Sequence, residues 1–352
     1  MSDRKTRGIQ RLLATMHYTG LDRIYQQLDQ ELGCILMFHH VNDAPPHKFD
    51  PNGHLTVTPR FFERILNMFV QRDFEFVTLD EAAERIKNPR RNQRFAVVTF
   101  DDGYRDNLEQ AAPILQRLQI PYTVYVATGL VERVSDVWWV AVEHLVRERD
   151  RLLMQTHRGP VELDCRSIKA KYASFRTIMT YLSLDVDEEE QRRRVREMCW
   201  LYKIDPAAIT DGLMMDWEEV RQIADDPLCT IGAHTISHPA LARLKKKAAR
   251  LEMEQSASIL EATLGQRPVH FAYPYGMKRA AGAREFALAH RCRFETAVTT
   301  RPGHLFAGHA KHLTALPRVS ANGLYQRMRY FSPLTSGLPT RLANKGRRIN
   351  IT

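Results

Sequence analysis

The sequence predicts an α/β protein built on a parallel (β/α) barrel. Apolar, β-branched runs of strand length alternate with amphipathic stretches of helical period along most of the 352 residues. One run, Phe95-Ala96-Val97-Val98-Thr99-Phe100, is unbroken, as expected of a strand buried on both faces of a largely parallel sheet. The number of such strands suits a barrel better than an open sheet, and no phosphate loop marks an open nucleotide-binding sheet.

Amphipathic patterns over residues 8–31 predict one or two helices in an amino-terminal leader, 1–32, ahead of a first strand at 34–39. A polar loop at 42–54 follows, and Thr58-Pro59 then opens a helix whose Phe61, Phe62, Ile65, Leu66 and Phe69 recur at helical spacing. Strand 74–77 and helix 79–86 lead into the aspartate-bearing strand; helix 108–118 and strand 122–126 come after it. Residues 138–226 break the alternation. They are charged and helix-patterned, with segments at 139–154, 168–184, 188–200 and 217–223, and predict a helical insertion without strands. Alternation resumes with strand 229–233, a long helix over 239–264, strand 269–272, helix 281–289 and strands at 296–298 and 316–319. The expected division is therefore a leader, a barrel with its insertion over 33–333, and a basic, poorly ordered tail over 334–352.

Composition narrows the class further. No apolar stretch approaches the ~18 residues that span a bilayer. The basic start of the chain is not followed by the apolar block of a secretory signal. Five scattered cysteines, Cys34, Cys165, Cys199, Cys229 and Cys292, suit reduced thiols and a cytoplasmic location. The net charge of +10 gathers at 4–11, 243–250 and 341–348 without aromatic interleaving, so no nucleic-acid partner is expected. A solvated surface accounts for it, with peripheral contact to an anionic membrane or a polyanionic glycan as the alternative.

Two strings carry the chemistry. In Thr99-Phe100-Asp101-Asp102-Gly103-Tyr104, two aspartates follow a buried strand, where adjacent charges are costly unless a cation or solvent compensates them. Alone, such a pair fits a metal site, Mg²⁺ phosphoryl chemistry or a solvated turn. In His234-Thr235-Ile236-Ser237-His238, two imidazoles lie four residues apart, with Pro239 making the turn irregular. Two imidazoles and a carboxylate at strand ends form a mixed nitrogen and oxygen set. That set suits Zn²⁺, with Co²⁺, Ni²⁺ or Fe²⁺ as substitutes.

Jointly and in this order, the two strings resemble the T-F-D-D-G and H-[ST]-x-x-H motifs of the NodB-homology polysaccharide deacetylases, carbohydrate esterase family 4. The resemblance spans about residues 33–320 outside the insertion. It implies an irregular (β/α)7 barrel with one divalent cation on Asp102, His234 and His238, and Asp101 as general base. Phe271-Ala272-Tyr273-Pro274-Tyr275-Gly276 resembles the R-x-P-[YF] motif, with Ala272 at the arginine position. Tyr275 then supplies a backbone oxyanion donor, Tyr273 and Pro274 are expected to contact substrate, and Arg318 is a structural arginine, the replacement for the motif arginine or a substrate contact. No L-x-H string is evident near His304, His309 and His312. Met37-Phe38-His39-His40-Val41 instead resembles the Y-H-x-V string of a circularly permuted branch, which makes His39 the general acid.

The function so implied is metal-dependent removal of N-acetyl groups from an N-acetylhexosamine-containing oligosaccharide, polysaccharide or lipid-linked precursor, in the cytoplasm or at the inner membrane face. The alternatives are a catalytically silent glycan- or membrane-binding protein on the same fold, and a metal-dependent phosphohydrolase.

Overall fold

Seven parallel strands close into a barrel in the computed structural model, which describes residues 3–29, 31–89 and 93–351. They are β1 (Gly33–Phe38), β2 (Phe95–Phe100), β3 (Tyr122–Val126), β4 (Cys229–Ala233), β5 (His270–Ala272), β6 (Thr296–Pro302) and β7 (Leu316–Ser320). Each pairs with the next in sequence, and β1 pairs with both β7 and β2 to close the ring. A short strand, Glu75–Phe76, adds to the β2 edge near its start.

Closure is uneven around the ring. Strands β1 and β2 run in register from Gly33↔Phe95 to Phe38↔Phe100, and β3 and β4 from Tyr122↔Cys229 to Val126↔Ala233. Between β4 and β5 only Phe271↔Ala233 pair, and the β6–β7 register shifts between Val298 and Pro302. The well-registered half matters most for function, because it brings the carboxyl ends of β1 to β4 level with one another.

Local signals explain the helices. Thr58 caps the helix Pro59–Gln71 by accepting the Phe61 N–H at 3.2 Å, and Pro59 occupies its first turn. Its apolar stripe, Phe61, Phe62, Ile65, Leu66 and Phe69, is buried, and the Phe62 ring meets Phe38 of β1 edge-on at 4.9 Å.

The insertion holds helices Trp138–Glu148, Ile168–Thr180, Glu188–Leu201 and Pro206–Leu213, and it corrects the strand-free expectation. Arg151–Thr156 and Gly159–Asp164 form an antiparallel hairpin. Leu152 and Met154 point inward while Arg151, Leu153 and Gln155 are exposed, a period of two that the run Leu152-Leu153-Met154 conceals in the sequence. The insertion has its own apolar cluster, including Val142, Leu145, Met154 and Ile178, which is continuous with Tyr104, Ala127 and Leu130 on the barrel.

The basic carboxyl-terminal stretch is also packed rather than free. Leu338–Ala343 is a helix, Arg341 donates to the Tyr25 hydroxyl at 2.8 Å, and Arg348 pairs with Asp29 at 2.9 Å. Nearby, the buried His304 imidazole lies 2.5 Å from the buried Glu31 carboxylate, and its Nε2–H donates to the Leu334 carbonyl at 3.0 Å. Leader, last barrel segment and carboxyl-terminal helices thus meet at one ion pair. No helix among the described residues is long and apolar enough to cross a membrane.

Burial alone would depress the His304 pKa, but the Glu31 charge outweighs it, and the folded-state pKa is raised. A raised histidine pKa contributes stability that is fully present below the unfolded value and is lost as pH rises through the folded one. His304→Gln should therefore cost about 3 kcal/mol in mildly acidic buffer, since it leaves Glu31 buried without its partner. The deficit should shrink as pH rises, and urea unfolding of both proteins across pH measures it.

Candidate active site

Asp102 and His234 lie just beyond level strand ends, and His238 follows on the loop after β4. The Asp101 N–H donates to the Phe38 carbonyl at 3.0 Å, continuing the β1–β2 ladder by one residue, and the His234 N–H donates to Val126 O at 3.1 Å, continuing β3–β4. The chain then turns sharply at Asp102, with φ of 77°, and at Gly103, with φ of 87°. This left-handed turn separates two carboxylates that are adjacent in sequence.

Asp102 turns toward the histidines. Its Oδ1 lies 3.2 Å from His234 Nε2 and 3.1 Å from His238 Nε2, and all three residues are buried. His234 Nδ1 is 2.8 Å from the Ala272 carbonyl, which can only accept, so Nδ1 carries the proton and Nε2 presents a lone pair. Asp102 Oδ1 has no hydrogen-bond donor despite its burial. An orphaned carboxylate oxygen beside two imidazole nitrogens fits a divalent cation, and these three form the one such cluster among the described residues. Burial favours the neutral form of Asp102, yet the His238 and His234 contacts outweigh it and hold the carboxyl well below its usual range. Burial lowers the His238 pKa, which favours the neutral imidazole that a metal requires.

The histidine loop is braced from behind. Glu252, on the helix Lys246–Leu264, accepts from the Ile236 N–H, the Ser237 N–H and the Ser237 hydroxyl at 2.9, 3.0 and 2.6 Å. Thr235 Oγ1 accepts the His238 N–H at 3.0 Å. These bonds hold Thr235 and His238 at φ of 67° and 55°, which non-glycine residues seldom adopt.

Asp101 faces a different partner. Arg318 of β7 grips it with two parallel bonds, Nη1 to Oδ1 at 2.7 Å and Nη2 to Oδ2 at 2.6 Å. The guanidinium also donates to the Thr99 hydroxyl at 3.1 Å and to the Thr299 carbonyl at 2.9 Å. Burial pushes the Asp101 carboxyl up, but Arg318 outweighs it and holds the pKa below the ordinary value. Arg318 is fully buried, and its hydrogen bonds go to Asp101, Thr99 and Thr299. Ala272, at the expected arginine position, is buried in β5, and β7 brings the guanidinium from another direction.

The adjacent histidines of the first strand part company. His39 Nε2 lies 3.9 Å from Asp101 Oδ2 with its side chain 18% exposed, whereas His40 Nδ1 pairs with Asp106 at 2.8 Å and its ring stacks 3.6 Å from Tyr104. Burial lowers the His39 pKa more than the nearby Asp102 and Asp101 charges raise it. Of the later histidines, His304 is paired with Glu31, and His309 accepts the Phe306 N–H at 3.1 Å.

Tyr275 is half-exposed at the rim, with φ of 60°, and its ring stands 4.9 Å from that of His238. Its backbone N–H has no acceptor among the described residues, whereas the neighbouring Tyr273 and Gly276 N–H groups are satisfied. Tyr273 departs from the substrate-contact expectation. It is fully buried among Phe271 and Phe286 and donates its hydroxyl to the Thr314 carbonyl at 2.8 Å. Pro274 is buried and its carbonyl closes the turn by accepting the Gly276 N–H at 2.7 Å.

Two residues missed in the sequence come from the insertion. Trp138 donates its indole N–H to the Tyr275 hydroxyl at 2.9 Å, and the Trp139 ring lies 5.0 Å from His238. The doublet Trp138-Trp139 at the start of the insertion was the available signal, because amphipathic aromatics at a junction often carry a polar contact. Glu252 gave no signal, since a glutamate inside a long polar helix is unremarkable by pattern.

The family described as polysaccharide deacetylase matches residues 88–287, more than half of the chain. Among solved structures, the Streptococcus pyogenes deacetylase PplD in complex with acetate is similar at a TM-score of 0.57 and 18% identity, covering 87% of this chain and 98% of that one. IcaB from Ammonifex degensii gives 0.54 and 16%, covering 87% and 98%. BC0361, a polysaccharide deacetylase from Bacillus cereus, gives 0.52 and 18%, covering 87% and 69%. At these identities the likeness is one of fold. No curated protein sequence matches.

Removing Arg318 should strand a buried carboxylate. Arg318→Met is expected to destabilise the fold by about 3–5 kcal/mol at neutral pH, and Arg318→Met combined with Asp101→Asn should recover part of that loss. Denaturant unfolding of the two variants and the wild type measures the coupling.

Proposed function

The chain belongs to the polysaccharide deacetylase family, and on that footing we propose that it is a divalent-metal-dependent N-deacetylase of an N-acetylhexosamine-containing oligosaccharide, polysaccharide or lipid-linked precursor. The observation that carries this reading is the division of labour between adjacent aspartates. Asp102 sits against two imidazoles, while Asp101 is held by Arg318 and faces His39.

Asp102, His234 and His238 would hold the cation, zinc by the chemistry of the donor set, with Co²⁺, Ni²⁺ or Fe²⁺ as substitutes. When bound, such an ion supplies Lewis acidity, making water easier to deprotonate and an amide carbonyl more electrophilic. The remaining steps belong to the chain. Asp101, kept ionised and oriented by Arg318, takes a proton from water as the oxygen attacks the acetyl carbon. The Tyr275 N–H donates to the oxygen on which negative charge develops. The proton on Asp101 has a favourable onward path, because the carboxyl pKa is depressed and His39 is its neighbour at 3.9 Å. The resulting imidazolium, made more acidic by burial, protonates the departing nitrogen as the C–N bond breaks. Acetate and a free amino sugar result. Protonation of the leaving nitrogen is essential to amide cleavage, and His39 serves that step. The five unpaired cysteines support a reducing, cytoplasmic setting.

Acetate release from N-acetylated oligosaccharides, with bound metal quantified for each protein, tests the assignment. Asp101→Asn should retain metal and lose at least ~10²-fold in turnover, and His39→Ala should behave similarly. His234→Ala should lose metal and turnover together. Full activity in Asp101→Asn would overturn the proposed base.

A further inference from the structure

The insertion helix Glu188–Leu201 borders a small void beside His238 and carries an open depression on its outer, solvent-facing side. The void, about 10 Å³, has His238, Ser237, Trp138 and Arg192 in its wall, and the depression, about 510 Å³, is framed by side chains of this one helix, Glu189, Arg192, Arg193, Arg196, Glu197 and Trp200. Arg192 is common to both.

The arginines of this helix differ in one respect. Arg193 and Arg194 are each bonded to Glu190 and Glu197, and Arg196 is bonded to Asp136. Arg192 alone among them has no carboxylate partner among the described residues; it donates to the Ser237 hydroxyl at 2.8 Å. Of the nearby acids, Glu188 is engaged by Arg243 at 2.9 Å, Asp136 by Arg196, and Glu197 by Arg193, while Glu189 is exposed at the outer rim. A guanidinium has five N–H donors, so Arg192 keeps most of its hydrogen-bonding capacity and its charge for the open outer depression. Two turns further along the same face, about 12 Å away by helical rise, stands Trp200. It is 81% exposed, which is unusual for the largest apolar side chain.

We infer that this face is a substrate-binding extension of the active site, in which Arg192 receives an anionic group of the glycan and Trp200 stacks on a sugar ring farther along the chain. The inference rests on the deacetylase reading for the identity of the reacting group. It adds that the preferred substrate is an extended, acidic glycan. A uronate carboxylate and a phosphodiester present the same planar or tetrahedral oxyanion chemistry to the guanidinium fork.

The test uses the full chain loaded with zinc and N-acetylated oligosaccharides of matched length that are neutral, uronate-bearing or phosphate-bearing. Wild type should turn over one of the acidic series with higher kcat/KM than the neutral one, and the better series identifies the anion. Arg192→Gln should reduce kcat/KM for the acidic series about tenfold more than for the neutral one, chiefly through KM, and Arg192→Lys should restore part of the preference. Trp200→Ala should raise KM for long oligosaccharides more than for short ones. A second readout is quenching of tryptophan fluorescence by the same oligosaccharides in metal-free protein, which should weaken in Arg192→Gln and in Trp200→Phe. Equal kcat/KM for neutral and acidic substrates in wild type, or an equal loss on all of them in Arg192→Gln, would overturn the inference. Arg192-dependent binding without acetate release from any oligosaccharide would instead sink the deacetylase reading and leave this binding face standing.

Discussion

A carboxylate buried at the mouth of the barrel, Asp101, has to be compensated, and much of the architecture serves that requirement. Arg318 supplies the compensation from β7, yet β1 lies between β7 and the strand that carries Asp101. The pair therefore exists only because the ring closes. The Thr99 hydroxyl, which donates to Leu36 O at 2.7 Å and accepts from Arg318, ties β1, β2 and β7 into the same network, and Thr299 adds β6. A buried ion pair of this kind is weak evidence for net stability, since desolvation of both groups offsets the attraction. Its value lies in fixing one orientation of one carboxylate, with both oxygens occupied on the arginine side and the His39 side left open to chemistry.

The same trade between local strain and fixed geometry recurs around the site. Asp102, Thr235, His238 and Tyr275 all have left-handed backbone conformations, each unfavourable for a side chain with a Cβ. Neighbouring bonds hold them there: Glu252 and Thr235 brace the histidine loop, and the Trp138 indole anchors the Tyr275 hydroxyl. Much of that bracing lies outside the barrel strands. The helix Lys246–Leu264 contributes Glu252 and the insertion contributes Trp138, Trp139 and Arg192, so elements added around the barrel rigidify the site and shape access to it.

What could be read from the sequence follows from how locally each feature is encoded. Strands buried on both faces announce themselves as apolar runs, and the barrel order follows from strand and helix alternation. The cluster of Asp102, His234 and His238 was legible because its members sit in two short strings whose geometry is set within five residues. The hairpin at Arg151–Thr156 was not, because apolar residues on both faces hid its alternation. Tyr273 and Tyr275 show the limit most plainly. They occupy one short string, yet one is a core residue and the other a rim residue, and only the turn at Pro274 separates their fates.

The arginine carries the same lesson to the level of mechanism. A motif position describes where in the chain a group usually originates, but Asp101 responds only to where the guanidinium arrives. Ala272 leaves one approach empty, and Arg318 reaches the carboxylate from β7 with both of its terminal nitrogens. An arginine on β7 lies beyond β1 from the aspartate, so it can serve only where β1 pairs with both neighbours and closes the ring. The residues of β1 between them, Leu36 and Met37, pair with Val319 and Ser320 on one side and with Val98 and Thr99 on the other. That double register sets the distance the guanidinium must span. Substitution of the motif residue is thus compatible with a paired Asp101 because closure at β1, and not the string around Ala272, determines whether a buried cation meets it.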